Sequence, residues 1–161
     1  MKLDFYPMTE EDIPEVLLLE REAFGRMAWS GKDFLAAVRS EYDHPLVITD
    51  GPAADGNQRR IAAYAVLRLL GPEAEIENIC VAGPHRGRGL GNALMDEMIR
   101  LADSNFAAKI FLEVRSGNLP ARALYEKKEF RELSVRKGYY SDPAEDAVVM
   151  VLERTQPLHL S

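Results

Sequence analysis

Residues 79–94 constrain this chain more than any other stretch. Ile79-Cys80-Val81-Ala82 reads as an apolar strand and Gly83-Pro84 as a turn. Arg86-Gly87-Arg88-Gly89-Leu90-Gly91 reads as a glycine-rich basic loop, and Leu90, Leu94, Met98 and Leu101 as the apolar stripe of the helix that follows. A helix start leaves N–H groups without acceptors and carries partial positive charge, so it suits phosphate. Glycines let backbone approach the oxyanions, and Arg86 and Arg88 add charge. The segment predicts a pyrophosphate cradle built from Arg86, Gly87, Arg88, Gly89, Leu90, Gly91 and Asn92, hence a nucleotide-containing cofactor.

Two familiar phosphate loops fit poorly. A Walker loop ends in Gly-Lys-Ser/Thr, whereas Gly91 is followed by Asn92-Ala93. A dinucleotide fingerprint has G-x-G-x-x-G after the first strand of its fold; here Asn92 stands at the third glycine, and many residues precede the loop. The loop instead resembles the acetyl-CoA signature of the GNAT N-acetyltransferases, Gln/Arg-x-x-Gly-x-Gly/Ala, at Arg86, Gly89 and Gly91. The competing reading is a glycine-rich helix start whose arginines face solvent.

Along the 161 residues, the order of elements is β-α-α-β-β-β-α-β-α-β-β. Leu3–Tyr6 is a first strand, and Thr9 caps a helix through Ile13, Val16, Leu17, Leu19, Ala23 and Phe24, with Glu20 among its polar positions. Ser30 caps a second helix through Phe34, Leu35, Ala37 and Val38. Strands follow at Leu46–Asp50, Ile61–Leu70 and Ala74–Val81, with a loop over Gly51–Asn57 and a turn at Gly71-Pro72. The loop helix runs from Leu90 to Ala102. A strand at Ile110–Val114, a helix at Asn118–Lys128, strands near Phe130–Val135 and Ala147–Leu152 and a tail over Thr155–Ser161 complete the chain. This is an α+β layout. It matches the GNAT fold, which implies a mixed, mostly antiparallel sheet with helices on both faces. No repeat or linker divides it, so residues 1–161 are expected to form one domain.

Composition narrows the partners. Charged residues make up 29% and hydrophobic residues 47%, a globular profile. A net charge of −6 argues against nucleic acid and suits a cationic amine. No apolar run reaches a membrane-spanning length, and Met1–Asp4 carries no apolar signal core. A single cysteine excludes an internal disulfide, so a cytoplasmic enzyme with no membrane partner is expected. His44, His85 and His159 lack ligand spacing, so no metal is expected.

The second half narrows the resemblance. Leu112-Glu113-Val114-Arg115, Ala121-Arg122-Ala123-Leu124-Tyr125-Glu126, Gly138-Tyr139-Tyr140 and Glu145-Asp146-Ala147 resemble, in order and spacing, the LEVR, A-x-x-LYE, NYY and EDA segments of the RimI branch. Ala28-Trp29-Ser30 is similar to its PWS segment. That branch comprises the ribosomal-protein-alanine N-acetyltransferases. The resemblance implies acetyl transfer from acetyl-CoA to a protein N-terminal alanine, the acceptor in the type enzyme being protein eighteen of the small ribosomal subunit. The chain departs from the pattern in four places. Glu129 replaces the glycine before Phe130, Ala82-Gly83-Pro84 replaces an Asp-Pro turn, His85 stands where a tyrosine or small polar residue is usual, and Gly138 replaces the asparagine of NYY.

Direct attack of an amine on a thioester needs a base, an acid and positioning. Glu113, at the end of an apolar strand and matching the acid of LEVR, is the expected base; the structural alternative is an ion pair, for instance with Arg115 or Arg122. Tyr125, matching the tyrosine of LYE, is the expected acid; the alternative is a packed core tyrosine. Glu75 and Glu77 are reserve bases, which simple alternation places on the face of Ile79 and Val81. Ile79 and Val81 offer backbone to the pantetheine arm, and Asn118 either binds cofactor or caps its helix. Cys80 is expected to be inert. Trp29, Tyr139 and Tyr140 are assigned to loops that either line the peptide end of the site or pack. Competing functions are acetylation of lysine, another N-terminus or a small amine, and a non-catalytic acyl-CoA sensor. The presence of both Glu113 and Tyr125 counts against the sensor.

Overall fold

Local rules account for most of the elements. The structure, a computed structural model, describes residues 4–52, 59–141 and 143–154. Strand β1 is Asp4–Pro7, and helix α1 is Ile13–Phe24 after a 3-10 turn at Glu10–Asp12. The Asp12 carboxylate accepts from Thr9 N at 2.8 Å, closing that start. Helix α2, Gly31–Arg39, opens on a capping box in which Ser30 Oγ accepts from Asp33 N and the Asp33 carboxylate accepts from Ser30 N. Strands β2 (Asp43–Pro52), β3 (Arg59–Leu70) and β4 (Glu73–Val81) follow. After the 3-10 turn Gly83–His85 come α3 (Leu90–Ser104), β5 (Lys109–Arg115), α4 (Leu119–Lys127), β6 (Arg131–Tyr140) and β7 (Glu145–Glu153). The expected element order is the observed one. Leu3, most of the 51–57 loop, the 155–161 tail and His159 lie outside the described residues.

The seven strands form one sheet in the order β1-β2-β3-β4-β5-β7-β6. β4 and β5 pair in parallel from Glu73↔Lys109 to Ile76↔Leu112, whereas β1–β2, β5–β7 and β6–β7 are antiparallel. The sheet is therefore mixed and mostly antiparallel, as an α+β fold requires.

The chain forms two compact units, Met1–Leu67 with Asn78–Leu94, and Arg68–Glu77 with Met95–Ser161. In the first, Ile13, Val16, Phe34, Ala37, Val47, Ile61, Tyr64, Val66 and Cys80 form a buried cluster. In the second, β7 is buried over Ala147–Leu152, a continuous apolar run between two paired strands. Its outer neighbour β6 ends the sheet, and its side chains are exposed from Arg131 to Tyr139. Arg131, Glu132, Arg136 and Lys137 give this edge the charge that discourages pairing with another chain.

The end of α4 explains one departure from the family pattern. Phe130 N donates to Tyr125 O and Glu129 N to Glu126 O, at 3.0 and 2.9 Å, the two bonds of a Schellman cap. Such a cap needs a left-handed residue, and Glu129 occupies it at φ 74°. The hydrophobic contact of the motif is the Phe130 ring, 6.2 Å from that of Tyr125. Glu129→Gly therefore relieves strain, and removes only an exposed side chain whose charge acts on Arg154. It should add about 1 kcal/mol of stability, or about 2–4 °C in Tm for a chain of this size. A melting curve that moves down, or not at all, would refute the strain.

Candidate active site

Glu113 sits on β5, half-buried at 23% side-chain exposure. It pairs with neither of the expected partners. Arg115 Nη1 reaches Glu145 Oε1 at 3.3 Å, and Arg122 donates to Ser116 O at 2.8 Å and pairs with Glu132. The partner is Arg136 of β6, whose Nη1 lies 3.4 Å from Glu113 Oε1. Strand register explains the meeting. Glu113 aligns with Val149, and Val149 with Ser134, so Arg136 lies two residues along β6 on the same face.

Tyr125, on α4, is buried with its ring against Phe130. Burial, with the nearby Tyr140 adding, pushes its phenol up to about 12. Tyr140 lies within electrostatic reach of both groups: burial raises its own phenol, Glu113 is the next cause, and Tyr140 in turn adds to the rise at Tyr125. The Arg115 guanidinium lies 4.4 Å from the centre of the Tyr140 ring, and Tyr139 meets Tyr140 edge-on at 5.2 Å. The second unit thus gathers Glu113, Tyr140 and Tyr125 into one neighbourhood. Tyr139 and Tyr140 are not in a loop, as the sequence had suggested, but at the end of β6. Within that strand Gly138 takes φ 60°, and its N–H donates to Asp146 Oδ1 at 2.8 Å. Glycine and asparagine are the residues that tolerate this conformation, which accounts for the Gly138 departure.

Glu75 and Glu77 keep the alternation expected of them. Glu75, Glu77, Ile79 and Val81 are the less buried set on β4, and Ala74, Ile76, Asn78 and Cys80 the buried one. Asn118 caps α4, its Oδ1 accepting from Ala121 N at 3.3 Å.

In the first unit, the loop before α3 has the form of an anion cradle. Gly87 and Gly89 both take φ 79°, and a Cβ on either would have nothing within 4 Å, so the backbone lies bare on its outer side. Leu90 opens α3 with its side chain buried, while Arg86 and Arg88 remain exposed. Ala93 N donates to Gly89 O at 3.0 Å, the bond that opens the ladder of α3 directly after the loop. Arg86 Nε donates to Val81 O at 3.4 Å and ties the loop back to β4. His85 Nε2 lies 2.9 Å from Asp50 Oδ2, which anchors the turn ahead of the loop. That hydrogen bond, with the charges of His85, Arg88 and Arg60, holds the Asp50 carboxyl below the usual range. The exposed glycines and the two arginines give this helix start the open backbone and positive charge that a diphosphate site requires.

The sequence model of the acetyltransferase (GNAT) family matches residues 12–130. The chain belongs to the GNAT acetyltransferase family. It is 32% identical over 143 residues, 88% of this chain and 90% of the relative, to the [ribosomal protein bS18]-alanine N-acetyltransferase of Escherichia coli (strain K12). The crystal structure of the ribosomal-protein-S18-alanine N-acetyltransferase from Escherichia coli superposes with a TM-score of 0.85 at 28% identity, covering 99% of each chain. A GNAT acetyltransferase from Elizabethkingia anophelis, solved with acetyl-CoA bound, shares the fold at a TM-score of 0.72 and 21% identity, covering 94% of this chain and 98% of that one.

This GNAT chain also holds a buried network that the sequence reading missed. Glu20, assigned to the polar side of α1, is 1% exposed. Its carboxylate accepts from Tyr64 Oη at 2.6 Å, Asn78 Nδ2 at 3.0 Å and Trp29 N at 2.9 Å. It thereby ties α1 to β3, β4 and the segment before α2. The available signal was spacing: Glu20 follows Val16 by four and Ile13 by seven, on the apolar stripe. Ala23 and Phe24, assigned to that stripe, are exposed instead. Burial pushes the neighbouring Cys80 thiol up, which keeps it unreactive. Among the described residues no three His, Cys, Asp or Glu gather as a metal site, and no helix is long and apolar enough to cross a membrane.

Proposed function

We propose that this acetyltransferase carries acetyl from acetyl-CoA to the N-terminal α-amino group of a protein, the N-terminal alanine of a small-subunit ribosomal protein, by direct attack on the thioester. The observation that carries the chemistry is the grouping of a half-buried carboxylate and a buried phenol around Tyr140. The acceptor rests on the relative named for bS18 alanine, at 32% identity over most of both chains. Ribosomal N-termini lie in the cytoplasm, where we take the protein to act. We also take residues 1–161 as one acetyltransferase domain, because β3, β4 and α3 each run through both compact units.

Acetyl-CoA supplies the acyl thioester. Backbone N–H groups from Arg88 to Asn92 would hold its pyrophosphate, with Arg86 and Arg88 adding charge. Ile79 and Val81 would offer strand-like hydrogen bonds to its amide-rich arm, and Asn118 its amide nitrogen. Glu113 accepts the proton of the acceptor's ammonium, directly or through water. Tyr125 donates a hydrogen bond to the charge developing on the departing sulfur. A phenol near 12 is a weaker acid than a thiol of ~8.5, so it stabilises the thiolate more than it protonates it.

The proton balance favours an N-terminal acceptor. An α-amine titrates near ~8 and a lysine near ~10.4, so at neutral pH the α-amine is uncharged roughly two hundred times more often. Peptides that begin with alanine should outcompete the same peptides blocked at the N-terminus but carrying an internal lysine, in an assay that follows release of free CoA thiol. Equal acetylation of the blocked peptides would move the chain to the side-chain acetyltransferases. No thiol release with any amine would make it an acyl-CoA sensor.

A further inference from the structure

Arg136 meets Glu113 in an unusual way. The two are 3.4 Å apart, yet no hydrogen bond accompanies the contact. The guanidinium lies instead over the Tyr139 ring, 5.4 Å from its centre, and is 55% exposed. Arg136 therefore lends charge to the carboxylate without consuming its lone pairs, and it is held from the side by an aromatic face. We propose that Arg136 is the resident counter-ion of Glu113, a positioning residue that keeps the base ionised and aimed between turnovers while leaving its oxygens open to the acceptor. This rests on Glu113 being the base.

The proton path shows what such a residue does. The acceptor's ammonium gives one proton to the Glu113 carboxylate; the neutral amine then bonds the acetyl carbon as the C–S bond breaks, and the second proton lost from nitrogen goes by way of water to the departing CoA sulfur. Glu113 must then lose that proton to water before the next turnover. A guanidinium does not exchange protons at these pH values, so Arg136 is no relay. Its fixed charge favours the ionised carboxylate and so the reset. The other groups around Glu113 do not supply this. Arg115, on the same strand, is committed to Glu145 and to the Tyr140 ring. Tyr140, from β6, is neutral with a raised phenol, and Tyr125, from α4, likewise. The β7 residues alongside, Ala147, Val149 and Val151, are apolar. On β4, Glu75 pairs with Phe111, so Glu75 and Glu77 lie on the same sheet face as Glu113 and, being acids, supply no positive charge.

The test is the pH profile of kcat/KM with an alanine-initial peptide, whose acid limb reports the free enzyme's base. Arg136→Gln should move that limb to higher pH by about 0.5–1 unit, the low end of the effect of an arginine on a carboxylate because the pair is half-exposed. Arg136→Lys should restore it. In the free protein, a carbon-13 titration of the Glu113 carboxyl should move in the same direction, and this readout needs no activity. A surface pair of purely structural value would lower Tm slightly and leave both profiles in place. Unmoved profiles alongside a Glu113→Gln variant that has lost turnover would overturn the role of Arg136 alone. A Glu113→Gln variant with full kcat would overturn the base assignment and this proposal together.

Discussion

Tyr125→Phe should lower kcat by about 10²–10³-fold, the usual loss when one donor to a developing charge is removed, while leaving acetyl-CoA affinity nearly intact. The substitution is clean because the ring's contact with Phe130 does not involve the hydroxyl. The fold should hold, with a loss of stability of about 1 kcal/mol or less. Two pH signatures accompany the loss. The phenol stays protonated until about 12, so Tyr125 contributes no basic limb to the profile in the neutral range. Its folded value lies above the unfolded one, so its contribution to stability is complete below ordinary tyrosine ionisation and fades as pH climbs towards about 12. The wild type should lose more stability across that alkaline window than the phenylalanine variant, which keeps only the raised phenols of Tyr64 and Tyr140. A variant with wild-type kcat would leave Tyr125 as a core residue, the alternative its burial permits.

The site was legible where the signal is local and obscure where it depends on register. Ser30 with Asp33, Asn118 before Leu119 and Gly71-Pro72 between two strands each mark an element end by their own chemistry, and the structure places those ends there. The strand-loop-helix around Gly87 and Gly89 was readable for the same reason, since consecutive residues carry both the conformation and the charge. β6 was legible only in its first half, as the strand near Phe130–Val135. It is an edge strand with exposed side chains, Arg136–Tyr140 carries no alternation, and those last residues read as loop. The pairing of Glu113 with Arg136 crosses β7 and depends on an irregular register between Glu132 and Ser134. One residue of slip there would turn Arg136 to the other face. Glu20 was misjudged for a different reason. A carboxylate on an apolar stripe reads as an interruption until Tyr64 and Asn78, distant in sequence, arrive as its donors.

Gly89→Val should abolish measurable acetyl-CoA binding, a loss of about a hundredfold or more, equivalent to about 2.7 kcal/mol. Gly89 holds φ 79°, a conformation that costs a β-branched residue dearly. A Cβ added there meets no protein atom within 4 Å. It would project into the space where the cradle must receive the pyrophosphate, so the defect is one of binding and not of packing. Strain at a left-handed glycine nevertheless has its own effect on stability, and Gly71→Val isolates it. Gly71 also has a positive φ, 63°, and open space around its Cβ, but it sits in the turn before β4, away from the loop. Both variants should lose a comparable amount of stability in a thermal melt, and only Gly89→Val should lose acetyl-CoA in a calorimetric titration. If Gly89→Val binds acetyl-CoA as the wild type does, the loop is a solvent-facing helix start and the cofactor lies elsewhere. If Gly71→Val loses affinity equally, the effect at Gly89 is general destabilisation, and the cradle loses its support.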